Sequence, residues 1–158
     1  MQISLVLRDL EPDDLADLDW SGGPEHLSAL ARAWQSAIEG TAVVLVAALD
    51  NDRLVATGAV DFLRYPDAGF LWMLSVHQTL QGLGIGSWLV GELEARVVEA
   101  GLTEARLHVE YDNPRASALY RRLGYQEVTS TLDRWQLPGE RTYVTVSAVL
   151  RHVLSGPA

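Results

Sequence analysis

The chain is predicted to fold as an α/β protein: a mixed, mostly antiparallel seven-stranded sheet with helices on both faces. Three observations predict it. Seven segments read as strands and four as helices, in the order strand, two helices, three strands, helix, strand, helix, two strands. Short turns join several of the strands directly, which requires antiparallel pairing. One unit, residues 70–111, runs strand–helix–strand and so predicts a right-handed parallel crossover inside the sheet.

The elements follow from local patterning. Ile3, Leu5 and Leu7 alternate with Gln2, Ser4 and Val6, giving a strand over residues 2–8. Glu11-Pro12-Asp13-Asp14 starts a helix, with proline in the first turn and acids against the dipole. Trp20 to Pro24 forms a loop, and from Glu25 to Glu39 the residues Leu27, Leu30, Ala31, Trp34 and Ile38 recur at helical spacing before Gly40. Ala42 to Leu49 is continuously apolar, as in a strand covered on both faces. Asp50-Asn51-Asp52 turns the chain into a strand from Leu54 to Leu63, and Tyr65 to Gly69 turns it again into an apolar strand at 70–77.

A glycine-rich turn and a helix from Ser87 to Ala100 come next. Leu89, Leu93, Val97 and Ala100 make the inner face of that helix, and Gly101 ends it. Ala105 to Tyr111 is a strand, and Asn113-Pro114 opens a short helix closed by Gly124. Residues 126–137 and 142–150 pair as a hairpin through Pro138-Gly139-Glu140-Arg141. Residues 1–158 are expected to form a single domain, with 154–158 a loose tail.

Composition narrows the function. The 158 residues contain no cysteine, which removes disulfides, thiol nucleophiles and cysteine metal sites and suits a reducing, cytoplasmic location. His26, His77, His108 and His152 show no metal-ligand spacing. The N-terminus lacks a secretory pattern, and no apolar run approaches the ~20 residues that span a bilayer, so no membrane partner is expected. A formal net charge of −9 argues against nucleic acid and suits a cationic substrate such as an amine, although acidic surface also serves solubility.

The most informative segment is Gln81-Gly82-Leu83-Gly84-Ile85-Gly86. Glycines at alternate positions bare the backbone between a strand and a helix N-terminus, where unpaired N–H groups and the dipole favour an anion. A dinucleotide fingerprint needs a third glycine at position 87, which is serine here. A Walker A loop needs lysine after Gly86, where Ser87 and Trp88 stand instead. The pattern [QR]-x-x-G-x-[GA] is met in full by Gln81, Gly84 and Gly86.

With that turn, and with Asn113, Ala116, Tyr120, Gly124 and Tyr125 matching an N-x-x-A-x-x-x-Y-x-x-x-G-[FY] segment, the chain resembles the GNAT superfamily of acyl-CoA-dependent N-acetyltransferases. The opening Leu7 to Leu15 is also similar to the family's usual start, and the resemblance covers essentially the whole chain. One departure is Gln78, where many members carry proline. The resemblance implies a parallel pair splayed at the centre of the sheet and acetyl-CoA as co-substrate. It implies that Gln81, Gly82, Leu83, Gly84, Ile85, Gly86 and Ser87 hold the pyrophosphate. Backbone groups of Leu74 and Val76 would pair with the pantetheine arm, with Asn113, Ala116 and Tyr120 also lining the cofactor.

The resemblance further makes Tyr120 the acid that protonates the CoA thiolate, a role a phenol suits; its bland reading is a packed aromatic. Asn113 reads equally as a helix cap. Arg106, His108 and Glu110 share one face of their strand, so His108 and Glu110 are the candidate general bases, against a reading as ordinary polar strand residues. Trp20, Trp72, Trp135 and Tyr65, with Asp67 and Asp133, are candidates to line an acceptor pocket, although most tryptophans are core. The expected reaction is direct acetyl transfer to a primary amine of a small molecule or peptide. The alternative is a non-catalytic acyl-CoA-binding sensor. A homodimer is a frequent arrangement in the family.

Overall fold

The computed structural model describes residues 3–154. Seven strands form one sheet: β1 (Val6–Asp9), β2 (Ala42–Ala48), β3 (Leu54–Tyr65), β4 (Ala68–Val76), β5 (Glu104–Glu110), β6 (Gln126–Leu137) and β7 (Arg141–Val153). Their spatial order is β1-β2-β3-β4-β5-β7-β6. Every neighbouring pair is antiparallel except β4–β5. Three α-helices, α1 (Pro24–Ile38), α2 (Ile85–Glu99) and α3 (Pro114–Arg122), pack around it. The mixed seven-stranded architecture is the one expected.

Period-two alternation divides the core. In β2, Leu45 and Ala47 join the cluster beneath α2, while Val44 and Val46 join the cluster beneath α1. The strand is therefore covered on both faces, as its continuous apolar run predicts. On the α2 side, Leu89, Leu93 and Val97 are fully buried against Val60, Leu71, Leu107 and Leu150. Each such side chain contributes about 1.5–3 kcal/mol by leaving water.

Several boundaries differ from expectation. The first strand is Val6–Asp9 rather than 2–8, because β2 offers it only four register partners; Gln2 lies outside the described residues. The first helix is a 3-10 segment, Pro12–Ser21. Its aspartates are poor α-helix formers, and Leu15 and Leu18, three apart, share the edge that such a helix aligns. Helix α2 begins at Ile85, not Ser87, because Gly84 caps it. Ala100 is exposed rather than on the inner face: it is the C-cap, beyond the last turn the sheet covers. Ile38 ends α1 and is likewise exposed. The strand at 70–77 is Ala68–Val76, and His77 caps a short 3-10 turn, Gln78–Leu80. Leu154 is not part of a loose tail: it is buried, and its N–H donates to the Thr103 carbonyl at 2.7 Å. Residues 155–158 lie outside the described residues.

Candidate active site

The parallel pair is short. β4 and β5 are in register only at Gly69–Ala105 and Phe70–Arg106, after which no pairing joins them. The two strands thus part at the centre of the sheet, opening β4 toward its C-terminal end. Just past the last pair, β4 carries a bulge. Thr57 faces Ser75 and Ala59 faces Trp72, so Gly58 alone opposes both Met73 and Leu74. Met73 takes the bulge in a left-handed conformation, φ 56°. A non-glycine residue there costs of order 1–3 kcal/mol, a strain seen most often at functional sites. Met73 itself carries no sequence cue; the only signal is Gly58, a glycine inside an otherwise apolar strand.

The glycine turn follows β4 after the short 3-10 turn Gln78–Leu80. Gly82 and Gly84 both take φ 84°, which lets the chain reverse and seat Gly84 as the left-handed cap of α2. The first-turn N–H groups of α2, on Ile85, Gly86 and Ser87, therefore lie where a helix has no internal acceptors for them. Gln81 does not extend outward. Its carboxamide donates to the Val76 carbonyl at 3.2 Å and ties the turn to the end of β4. That bond takes up one of the Val76 backbone groups expected to face the cofactor. A cavity of about 350 Å³ borders the turn, lined by Ile3, Leu5, Leu83, Gly84, Ile85 and Trp88.

On the β5 side of the opening, Asn113 caps α3, its Oδ1 accepting the Ala116 N–H at 3.3 Å. The capping role is thus present in the geometry. Tyr120 is half-buried, its ring edge-on to Tyr125 at 6.0 Å. Burial pushes its phenol pKa up. Leu74, Val76, Ala116 and Tyr120 all pack against the cluster beneath α2, on one face of the sheet.

His108 and Glu110 lie on the opposite face, since Leu107 and Val109 point into the α2 cluster. They are not equivalent. Glu110 accepts a hydrogen bond from the Tyr143 hydroxyl at 2.9 Å. His108 has both ring nitrogens engaged: Nε2 lies 2.7 Å from the Tyr65 hydroxyl and Nδ1 3.0 Å from Asp133 Oδ2. Its ring also meets Phe70 edge-on at 4.8 Å, beside the point where β4 and β5 separate. Burial holds its pKa below the ordinary histidine range and Arg64 pushes the same way, against the opposing pull of Asp133. Arg64 reaches Asp133 at 3.7 Å and lies 5.2 Å over the Phe70 ring.

The candidate pocket residues separate. Tyr65 and Asp133 converge on His108, which sequence reasoning had grouped apart from them. Trp72 stacks on Phe70 at 6.4 Å, and Trp20 lies 5.2 Å from the His77 ring. Trp135 instead lies tilted against Tyr143, ring centroids 4.7 Å apart, on the exposed β6–β7 hairpin, and Asp67 is exposed, 4.0 Å from Arg106. Among the described residues, no group of three or more acidic or histidine side chains could hold a metal.

The segments that form the parallel pair and the glycine-rich helix start all lie within the stretch that a family model matches. The profile of the acetyltransferase (GNAT) family aligns with residues 7–125. The chain belongs to the GNAT family. This GNAT chain is 31% identical over 89 residues to an L-2,4-diaminobutyric acid acetyltransferase from Nocardia farcinica. That alignment takes in 55% of the chain and 44% of the relative, so the chain spans less than half the length of the curated relative it matches. Among solved structures, the ribosomal-protein-S18-alanine N-acetyltransferase from Escherichia coli superposes with a TM-score of 0.76 at 18% identity, covering 98% of this chain and 97% of that one. The spermidine N-acetyltransferase from Vibrio cholerae, in complex with CoA and spermine, gives a TM-score of 0.69 at 20% identity, covering 94% and 95%. These likenesses establish the fold.

Proposed function

We propose that this GNAT chain transfers an acetyl group from acetyl-CoA directly to a primary amine. The observation that carries the reading is the parting of β4 from β5 after Phe70, which leaves the C-terminal half of β4 unpaired on that side as it leads toward the glycine turn and the start of α2. An acyl-pantetheine arm laid along β4 would use backbone groups of the Met73–Val76 segment as an added strand does. Its pyrophosphate would meet the N–H groups at the start of α2, where backbone donors and the helix dipole both favour an anion.

The two faces divide the chemistry. Tyr120, kept protonated by burial, serves as the acid for the departing thiolate. His108, kept neutral by burial, accepts the proton that the amine must lose. A backbone N–H at the β4 bulge stabilises the oxyanion. With no cysteine in the chain, a cysteine-linked acyl-enzyme is excluded and transfer proceeds in a ternary complex.

The acceptor class follows from the acidic balance and from the relatives, whose names cite diaminobutyrate, spermidine and a ribosomal-protein alanine. The test is a mass-spectrometric screen with acetyl-CoA against pooled amines that include 2,4-diaminobutyrate, spermidine and an alanine-led peptide. Acetylated product with matching CoA thiol release supports the reading. Tight acetyl-CoA binding without thiol release across the pool would replace it with a sensor role.

A further inference from the structure

The Tyr65–His108–Asp133 chain of contacts does more than orient a histidine. His108 has no lone pair left for a substrate. Its side chain is only 7% exposed, Nδ1 faces the Asp133 carboxylate and Nε2 faces the Tyr65 hydroxyl. An ionised carboxylate only accepts, so Nδ1 must carry the imidazole proton. Nε2 is then the acceptor, and the Tyr65 hydroxyl donates to it. The phenol oxygen keeps its own lone pairs, and Tyr65 is partly open to solvent, whereas both His108 ring nitrogens are already engaged. Its ring is fixed by Arg106, whose guanidinium lies 4.7 Å over it, and by Phe70, edge-on at 6.0 Å.

We propose that Tyr65 is the group that touches the acceptor amine, as the outer member of a proton relay that ends on His108, with Asp133 as its positioning residue. This rests on the acetyltransferase reading and deepens it. The amine nitrogen attacks the thioester carbonyl carbon, the C–N bond forms and the carbonyl π pair moves to oxygen. The proton on the now cationic nitrogen passes to the Tyr65 oxygen as the phenol's own proton passes to His108 Nε2. His108 becomes an imidazolium held by Asp133 and later yields its proton to solvent. Collapse of the tetrahedral adduct breaks the C–S bond, and Tyr120 protonates the thiolate.

The test has a substrate-free arm and a kinetic arm. Nitrogen-detected NMR of the four histidines is expected to show His108 protonated on Nδ1, with Nε2 moving toward a free-acceptor shift in Tyr65→Phe. A His108 protonated on Nε2 overturns the relay, because the phenol would then have no acceptor for its proton. With acetyl-CoA and whichever of spermidine, 2,4-diaminobutyrate or an alanine-led peptide the wild type acetylates, Tyr65→Phe is expected to lower kcat about 10²-fold, the scale of one acid–base group. The acetyl-CoA KM should stay within about twofold, since the cofactor turn is untouched. The Tyr65→Phe/His108→Gln double variant should lose no more than the worse single, since members of one relay are not additive. A wild-type kcat in folded Tyr65→Phe, or multiplicative losses, overturns the proposal. A wild type that acetylates none of the three amines counts against the acetyltransferase reading on those acceptors, while the tautomer still decides the relay.

Discussion

Gln81 donates its carboxamide N–H to the Val76 carbonyl at 3.2 Å, so the glycine turn proposed to hold the pyrophosphate is braced against the strand that leads into it. Between them lies a 3-10 turn whose N-cap, His77, donates its backbone N–H to the Val55 carbonyl at 2.7 Å. A site that works by backbone N–H groups needs such a brace, because preorganised donors lose nothing to reorganisation when the ligand arrives.

The turn itself is the first place to test. Gly84→Ala meets no neighbouring atom, so its cost is the left-handed φ alone, about 1–2 kcal/mol. We expect a several-fold weaker affinity for acetyl-CoA by calorimetry, with a fold unchanged by circular dichroism. Affinity equal to wild type would show that the αL cap does not shape the cofactor site.

Tyr120 is the second. Tyr120→Phe removes one hydroxyl and leaves the ring against Tyr125. On the proposed acid role, kcat falls about 10²–10³-fold with the acetyl-CoA KM nearly constant. Because burial raises the phenol pKa, the wild-type rate should show no alkaline loss from this group below about pH 10. An unchanged kcat in Tyr120→Phe would end the assignment.

The acid side of the pH profile tests His108. Its pKa lies below the ordinary value of about 6.5, so its neutral form persists through neutral pH. After correction for the amine's own ionisation, kcat/KM should be flat near pH 7 and fall only below the ordinary histidine midpoint. The neighbours act with opposite signs. Asp133→Asn removes an interaction that raises the pKa and should move the midpoint lower. Arg64→Ala removes one that lowers it and should move the midpoint higher. Shifts of the same sign would show that another group controls the limb.

Stability carries its own pH signature at the start of the fold. Asp14 takes two hydrogen bonds from Arg8 at 2.7 Å and one from the Glu11 N–H at 2.8 Å. The Arg8 bonds hold its carboxyl below the usual range, against the effect of burial. A depressed folded pKa stabilises above the unfolded value, about 3.9, and that stability disappears as pH falls through the lower folded value. Asp14→Asn should therefore cost about 1–2 kcal/mol at pH 7 by chemical denaturation. The difference from wild type should shrink as pH falls through the depressed folded value and vanish below it.

The apolar runs and turn residues made nearly all of the sheet legible. Boundaries slipped where a partner decided them: β1 is as long as β2 allows, and Leu154 is held by Thr103, not by anything in its own neighbourhood. The bulge at Met73 was invisible, because a methionine in an apolar run gives no sign of a left-handed φ. The strain is imposed by the register of β3 on one side.

The proposed donor half of the site is written in contiguous residues. Gln81 to Gly86 and Asn113 to Tyr125 form backbone turns and helix ends, and those depend on residues a few positions apart. The proposed acceptor half is not contiguous. Tyr65 and His108 are 43 positions apart and His108 and Asp133 another 25, on three different strands. No local preference encodes their meeting. It comes from the order in which the strands assemble and from the reach of the β6–β7 hairpin, which together bring Tyr65 and Asp133 onto a strand histidine.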